Sequence, residues 1–435
     1  MRIRAGSVDR LGRGALLFMK VLIAIHDYLP LHPGGSELHA HQVAKELIHK
    51  GHDVHALFTE RNLERPEGDF TEGEFEGVPT IEVYHSREYP DLRETWRQSF
   101  FAEVFRSQLR RLQPDIVHFH HLSLWGAKCL EVAREEGVRS VLTLHDFNLI
   151  CSNSVLLKND RDLCDGGGED GSCSTCLSAG LLREARWPAE SKEEALLLAA
   201  RERRAYHKRA LAFADVVVTP SQTLLGRFQE AGMLREQRTE LLMYGYPGER
   251  ACARVRDMSA PLRVGYVGGI YPSKGVHVLI EAFAHLASEG PGVELVVHGH
   301  MDWFPDYTAG LKALAKDAAN VEFAGPFPSG DAARILAGFD VLVVPSIWYE
   351  NRPITISEAF LAAVVPVVTD LGGMSESVRD GVDGLVFPRG DALALAAALK
   401  RLATEPGLYD KLSSGRPKLP DIPEIVDTLL GFYRV

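Results

Sequence analysis

Two glutamates flank a proline late in the chain, in the stretch YENRPITISEAF (349–360). Proline is favoured in the first turn of a helix, so the stretch predicts a loop that carries Glu350 and a helix from Pro353 to Ala363 that carries Glu358. The start of a helix offers free N–H groups to a phosphate, and carboxylates accept hydrogen bonds from sugar hydroxyls. The stretch therefore indicates either a socket for a diphosphate sugar or a helix surface with one acid favouring the helix dipole and one exposed acid.

Glycine-rich turns precede three other predicted helices. In VGYVGGIYPSKGVHVLIEAF, Lys274 opens a helix and would face a phosphate across a cleft, unless it is an ordinary solvated lysine. In HDYLPLHPGGSELHAHQVAKEL, Gly34 and Gly35 suit an anionic ligand at a helix start, although an ordinary strand-to-helix turn would have the same sequence. In TDLGGMSESV, Gly373 allows backbone to approach a ligand closely.

The composition is that of an ordinary soluble protein: 46% of the 435 residues are hydrophobic and 25% are charged. A net charge of −11 argues against nucleic acid as a partner. There is no run of about 18 apolar residues, and hence no predicted membrane-spanning helix. Few cysteines and no visible export signal predict a cytoplasmic protein. Residues 1–18 are predicted to be a disordered extension ahead of a start at Met19.

Short apolar runs alternate with amphipathic stretches along the whole chain. Runs that are apolar at every position are typical of parallel strands covered by helices on both faces. Because the pattern occurs twice, we predict an α/β protein of two Rossmann-like, doubly wound domains that face each other across a cleft. The predicted domains are 19–250 and 256–405, and a helix at 420–435 is predicted to cross back to the first domain. Segment 60–97 shows no readable pattern.

With these motifs in this order, the chain resembles the retaining glycosyltransferases of family 4, whose two-Rossmann-domain architecture is called GT-B. The resemblance runs from Met19 to the C-terminus and rests on the Gly34-Gly35 turn, on VGGIYPSKGVHVLIEAF and on ENRPITISEAFLAAVVPVVTDLGGMSESVRDGVDGLVF. It implies transfer of a hexosyl group from a UDP- or GDP-linked sugar to a glycan or lipid-linked acceptor, in the synthesis of cell-surface polysaccharide or glycolipid. Catalysis would need no cofactor. A lipid-linked acceptor would entail peripheral contact with the inner face of the membrane.

The resemblance also implies roles for individual residues. Glu350 resembles the glutamate that stabilises the forming cationic sugar, Glu358 the one that binds the nucleotide ribose, and Lys274 the lysine that neutralises the diphosphate. The amides of Ile354 and Thr355 resemble those that cradle the distal phosphate. The other residues predicted to bind the donor are Gly34, Gly35, Gly269, Asn351, Arg352, Gly373 and His145.

One position departs from the family pattern. Gly269 stands where members commonly carry an arginine that clamps a phosphate. Loss of such a charge-assisted contact would cost about 1.5–3 kcal/mol. We therefore expect either that another cation, with Arg352 the candidate, replaces the clamp or that the donor binds weakly.

Two histidines end neighbouring predicted strands, His120 in DIVHFHHL and His145 in LTLHDF. Alternation puts His118 and His120 on one face of their strand, with His118 in the core. The resemblance implies that His120 opens into the cleft and contacts substrate. The alternative for both His120 and His145 is a hydrogen-bonded histidine at the end of a strand.

Four of the six cysteines, Cys151, Cys164, Cys173 and Cys176, cluster in a glycine-rich insertion at 151–177. The final C-x-x-C has the spacing of a metal-ligand pair, and a long loop without apolar periodicity needs a cross-link. Structural zinc is the favoured reading, and four-cysteine insertions occur in a subset of the family that the chain resembles. Disulfides, an iron–sulfur cluster and free thiols remain alternatives.

Two other functions stay open. An enzyme of the same architecture could hydrolyse or epimerise a nucleotide sugar without transferring it. A non-catalytic partner subunit would be consistent with the glycine at position 269.

Overall fold

The computed structural model describes residues 18–86, 88–89, 91–158, 162–166, 172–179, 193–235, 237–248, 250–287, 292–318 and 320–434. The extension predicted at 1–18 lies outside these residues except for Phe18, and so does part of the cysteine-rich insertion.

The elements of the first domain alternate strand and helix along most of its length, as the apolar periodicity predicts. In chain order they are β1 (Lys20–Ala24), α1 (Gly35–His49), β2 (Asp53–Arg61), β3 (Phe70–Phe75), β4 (Val78–His85), α2 (Glu94–Arg97), α3 (Ser99–Leu112), β5 (Ile116–Phe119), α4 (Lys128–Glu135), β6 (Arg139–Thr143), β7 (Leu157–Lys158), β8 (Asp162–Leu163), α5 (Ser172–Ala179), α6 (Glu193–Leu211), β9 (Val216–Thr219), α7 (Gln222–Glu230) and β10 (Thr239–Leu241).

The second domain repeats the alternation more regularly. Its elements are β11 (Leu262–Val267), α8 (Val276–Ala287), β12 (Val293–His298), α9 (Pro305–Leu314), β13 (Val321–Phe323), α10 (Ala332–Ala337), β14 (Val341–Val344), α11 (Ile354–Leu361), β15 (Val365–Thr369), α12 (Gly372–Ser377), β16 (Leu385–Phe387), α13 (Ala392–Thr404), α14 (Leu408–Ser414) and α15 (Ile422–Arg434).

Each domain is built on one sheet whose strand order reverses beside its first strand. The second sheet has the order β13-β12-β11-β14-β15-β16, with all of its pairs parallel. The first has the order β10-β9-β6-β5-β1-β2-β4-β3, in which only β3 and β4 pair antiparallel. In such sheets, ligands bind beyond the carboxyl ends of the strands where the order reverses. The predicted pair of Rossmann-like domains is confirmed, and the switch points lie between β1 and β5 and between β11 and β14.

The central strands are buried along their whole length, which explains their uninterrupted apolar sequences. All four residues of β14 and all five residues of β15 are buried. Helix α15 returns to the first domain and packs beside α1 through its apolar stripe of Ile425, Val426 and Leu429. At its end, the Tyr433 hydroxyl lies 2.7 Å from His118 Nδ1 on β5. The last helix therefore completes the core of the first domain.

Helix α12 approaches the loop between β14 and α11 so closely that only glycine fits. The Gly373 N–H donates to the Glu350 carbonyl at 2.7 Å. A Cβ built on Gly373 would lie 1.5 Å from the Asn351 carbonyl oxygen. The sequence predicted a close approach of Gly373 to a ligand, whereas here the close approach is made to the loop that carries Glu350.

We expect Gly373→Ala to lower the free energy of unfolding by about 2–3 kcal/mol, because backbone has to move to admit the methyl group. Gly310→Ala is the matched control: Gly310 lies in α9 with no atom within 4 Å of its Cβ position. That change should stabilise the helix by about 0.5–1 kcal/mol. Thermal unfolding of both variants checks this, and equal melting temperatures would contradict it.

Candidate active site

The carboxyl ends of the two sheets enclose a cavity of about 470 Å³. Its second-domain wall comes from the ends of β11 and β14, on either side of the switch point, and from the start of α11. Its first-domain wall comes from the ends of β1, β5 and β6. The residues of the predicted site that line it are Gly35, His145, Lys274, Glu350, Asn351, Arg352, Ile354 and Thr355.

Glu350 accepts hydrogen bonds from three side chains that line this cavity. Its Oε1 accepts from Lys274 Nζ at 2.6 Å, from the Ser346 hydroxyl at 2.7 Å and from Trp348 Nε1 at 3.0 Å. Oε2 makes no hydrogen bond with the described residues. Burial acts to lower the pKa of Lys274, but attraction to Glu350 outweighs it and raises that pKa, so the lysine stays charged. One cation and one anion are thereby fixed side by side in the cavity.

The ammonium of Lys274 also lies near two aromatic rings, with Nζ 5.8 Å from the Tyr271 centroid and 5.4 Å from the Trp348 centroid. Such cation–π contacts hold the cation without neutralising it. Gly275, which follows, has φ +69°, and a Cβ there would meet the Pro345 carbonyl oxygen at 2.0 Å. This glycine therefore lets the turn carrying Lys274 pack against the end of β14.

Helix α11 begins at the cavity without a side-chain cap. Its first N–H groups, on Ile354 and Thr355, are therefore available to an acceptor from a ligand. Arg352, just before the helix, also lines the cavity, and its buried Nε–H has no partner among the described residues. The start of α11 thus presents backbone donors and a guanidinium together, which suits an anion.

Glu358 lies one turn further into α11 and does not line the cavity itself. It is partly buried, and burial raises the pKa of its carboxyl. It has no ion-pair partner among the described residues. The carboxylate is therefore poised for hydrogen-bond donors, beside the cavity.

Tyr271 fills the space that a side chain at position 269 would need. A Cβ on Gly269 would lie 2.4 Å from the Tyr271 ring, and the Tyr266 hydroxyl donates to the Gly269 carbonyl at 2.7 Å. Gly268, not Gly269, lines the cavity. In this arrangement a side chain at position 269 would collide with Tyr271, and the lysine and arginine among the described residues that line the cavity are Lys274 and Arg352.

The glycine turn of the first domain lies directly against α11. A Cβ on Gly35 would lie 3.0 Å from Ile354 Cδ1, so this glycine permits the two domains to approach. Gly34 packs on Glu37 and does not line the cavity.

His145 and His120 occupy different depths. His145 lines the cavity, whereas His120 is fully buried behind it. The distance from His120 Nδ1 to His145 Nε2 is 3.1 Å. His145 Nδ1 also lies 2.7 Å from the Tyr244 hydroxyl. In this arrangement His120 makes no contact with the cavity, contrary to the expectation that it opens into the cleft.

Sequence reasoning missed a second histidine at the same strand end. His121 lines the cavity, and its Nε2 lies 3.2 Å from Asp146 Oδ2. Burial acts to lower the pKa of His121, but Asp146 outweighs it and raises that pKa. The ring of His26, after β1, contacts that of His121, with centroids 4.2 Å apart and the two planes tilted by 38°. The adjacent pair HH in DIVHFHHL was the available signal, since strand β5 ends at Phe119 and alternation no longer decides which histidine faces out.

The four clustered cysteines are all free thiols, so the structure contains none of the disulfides considered above. Burial, and to a lesser extent the other three cysteines, raise the pKa of Cys176 to about 11. Within the described ranges, however, no three His, Cys, Asp or Glu side chains are arranged to hold a metal ion. The structure gives the predicted zinc site no support. None of the helices that the structure describes is both long and apolar enough to cross a membrane.

Both domains match known protein families. Residues 33–246 match the family model "Glycosyltransferase Family 4", and residues 261–405 match "Glycosyl transferases group 1". With the fold, these matches define the class: the chain is a glycosyltransferase of the GT-B type.

Two named glycosyltransferases and a protein of a cps region are among the relatives that match this chain. A protein of the Klebsiella pneumoniae cps region is 25% identical over 83% of this chain and 88% of its own length. The D-inositol 3-phosphate glycosyltransferase of Actinosynnema mirum is 33% identical over 46% of each chain. The amylovoran biosynthesis glycosyltransferase AmsK of Erwinia amylovora is 30% identical over 37% of this chain and 40% of its own.

Solved structures share the whole fold at low identity. Sucrose-phosphate synthase from Thermosynechococcus elongatus has a TM-score of 0.68 at 19% identity, covering 95% of this chain and 98% of that one. Anabaena HepE in complex with UDP-glucose has a TM-score of 0.65 at 18% identity, covering 95% and 100%.

The buried histidines should make the fold sensitive to acid. Burial lowers the pKa of His118 to about 3 and that of His39 to about 4, and lowers those of His120 and His145 well below 6.5. Below about pH 6.5 the unfolded chain takes up protons that the folded chain does not. Each such histidine should therefore remove about 1.4 kcal/mol of stability per pH unit of acidification.

Chemical denaturation between pH 7 and pH 5 measures this slope. His118→Gln should reduce the pH dependence of the free energy of unfolding by the contribution of one histidine, about 1.4 kcal/mol per pH unit, even if it also changes the stability at pH 7. Replacement of the exposed His49 by Gln is the control. An unchanged slope in His118→Gln would refute the explanation.

Proposed function

We propose that the protein is a retaining glycosyltransferase that moves a hexosyl group from a nucleotide diphosphate sugar to a hydroxyl acceptor. The observation that carries the proposal is the Lys274–Glu350 pair, which lies in the cavity beside the uncapped start of α11. A cation and free N–H groups suit a diphosphate, and an adjacent carboxylate suits the positive charge that develops on the sugar.

The chemistry assigned to each group follows from its charge. The bond between the anomeric carbon and the phosphate oxygen breaks, and Lys274 with the Ile354 and Thr355 N–H groups stabilises the negative charge left on the diphosphate. Glu350, through its unengaged Oε2, faces the cationic sugar. The acceptor oxygen bonds to the same face of the anomeric carbon, and its proton passes to the departing phosphate oxygen. The protein thus supplies positioning and electrostatic stabilisation.

The donor half of the site is completed by Glu358, which accepts hydrogen bonds from the ribose hydroxyls. Arg352 binds the phosphate in place of the arginine that is absent at position 269, since it lines the cavity and its Nε–H has no partner among the described residues. The glycine turn of the first domain packs over the donor through Gly35, which lines the cavity.

The relatives support a role in cell-surface polysaccharide or glycolipid synthesis. One lies in a cps region and another is named for amylovoran biosynthesis. A solved neighbour holds UDP-glucose, which supports a UDP-linked donor. We assign the reaction to the cytoplasm or to the inner face of the membrane.

The decisive experiment is to incubate the protein with UDP-glucose or GDP-mannose and a panel of acceptors, and to follow nucleotide release and the anomeric NMR signals of the product. Release that depends on an acceptor, with the donor's anomeric configuration kept, is expected. Release without an acceptor would favour a hydrolase or epimerase, and an inverted product would refute retention. The absence of nucleotide binding would favour a non-catalytic partner.

Glu358→Gln should weaken UDP binding about 10- to 100-fold, because hydrogen bonds to a charged acceptor are worth about 1.5–3 kcal/mol. Since burial raises the pKa of Glu358, wild-type affinity should also fall as acid protonates this carboxylate, whereas the variant should lack this component. Calorimetric titration with UDP measures both effects. Glu322→Gln, on the exposed side of β13, is the matched control, and equal affinity in all three proteins would contradict the assignment.

A further inference from the structure

A second cavity, of about 230 Å³, adjoins the first in the first domain, and His26 lines both. We call this second cavity the acceptor pocket. Its walls come from Tyr89 and helix α2, from the loops after β5 and β6, and from α6. It lies beyond the carboxyl ends of β5 and β6, where a ligand in this domain is expected.

Arg203 on α6 forms part of the wall of the acceptor pocket and is only 4% exposed. Its Nη2 donates to the Asn148 carbonyl at 2.6 Å, and its buried Nε–H has no partner among the described residues. Those residues place no carboxylate in salt-bridge contact with it. Burial lowers the pKa of Arg203 to about 10, so the guanidinium is charged at neutral pH.

Asp146 is the carboxylate that interacts electrostatically with Arg203, but other groups already occupy its oxygens. Asp146 contacts His121 at 3.2 Å and accepts the Asn148 N–H at 2.7 Å. No Asp or Glu is among the described residues that line the acceptor pocket. A buried cation without an ionic partner is costly to the fold, and an anionic ligand would offset that cost.

The rest of the wall suits a sugar ring. Trp96 and Tyr89 supply aromatic surface, and the buried indole N–H of Trp96 has no acceptor in the described part of the chain. His207 Nδ1 lies 2.9 Å from the Leu149 carbonyl and donates to it, so Nε2 is left as an acceptor. Thr95 and Ser123 add hydroxyls. The donors and acceptors can form hydrogen bonds with the hydroxyl groups of a sugar, and the aromatic rings can pack against the apolar face of its ring.

We propose that the acceptor pocket binds the acceptor through a negatively charged group on its sugar, a carboxylate or a phosphate, which pairs with Arg203. This inference rests on the proposed function and adds the chemical class of the acceptor to it. The sugar ring lies beside Tyr89, and His26, which lines both cavities, lies between the ring and the donor cavity.

In the test, the full chain is first saturated with UDP so that the donor cavity is filled. It is then titrated separately with methyl glucoside, glucuronate, glucose 1-phosphate and inorganic phosphate. Binding is measured by calorimetry and by saturation-transfer NMR. At least one anionic probe should bind ten times more tightly than methyl glucoside. Glucuronate and the two phosphates distinguish a carboxylate from a phosphate. In R203Q this preference should disappear while affinity for UDP stays at the wild-type value.

Arg201→Gln, an exposed position on α6 that does not line the acceptor pocket, is the matched control and should keep the preference. Should R203Q fail to fold, Thr95→Glu places a negative charge on the same wall and should abolish the preference by repulsion. Equal affinity for neutral and anionic probes in the wild type, or a preference that survives both R203Q and Thr95→Glu, would overturn the inference. Absence of UDP binding in the wild type would instead overturn the proposed function.

Discussion

The organisation of the cleft depends on one ion pair, between Lys274 and Glu350. The pair joins the turn after β11 to the loop after β14, the two segments that flank the switch point of the second sheet. Burial acts to lower the pKa of the lysine and the nearby carboxylate raises it, while the buried Glu350 gains a cationic partner, so each group stabilises the charge of the other. The donor's diphosphate can then add to a cation that is already positioned, which avoids reorganisation during reaction.

The loop that carries Glu350 is held from both domains. The Glu350 carbonyl accepts a hydrogen bond from the Gly373 N–H of the second domain. From the first domain, the Ser221 hydroxyl donates to Asn351 Oδ1 at 2.5 Å, and Asn351 Nδ2 donates to the His145 carbonyl at 3.1 Å. Glu376 of α12 accepts the N–H groups of Gln222 and Thr223 at the start of α7, at 2.8 and 2.9 Å. The first domain therefore helps to orient the carboxylate of the second. Relative movement of the domains would change the site along with its access.

The fold could be predicted because its central strands are buried on both faces and are apolar at every position. The hairpin of β3 and β4 was not predicted, since β3 is exposed along most of its length and has no apolar pattern. Within the site, residues on one linear motif, such as Glu350 and Ile354, were found to lie together. His121, Asp146 and Arg203 were not identified, because they come together only through the crossing of separate loops and α6. Conversely, His120 was misplaced because it follows the last residue of its strand.

The most direct test of the central claim is a crystal structure of the protein with UDP bound. The account predicts that the oxygens of the distal phosphate lie within hydrogen-bond distance of the Ile354 and Thr355 N–H groups and of Lys274 Nζ, with the ribose at Glu358. A diphosphate bound away from the start of α11, with the Lys274–Glu350 pair unaltered and distant from it, would contradict the account.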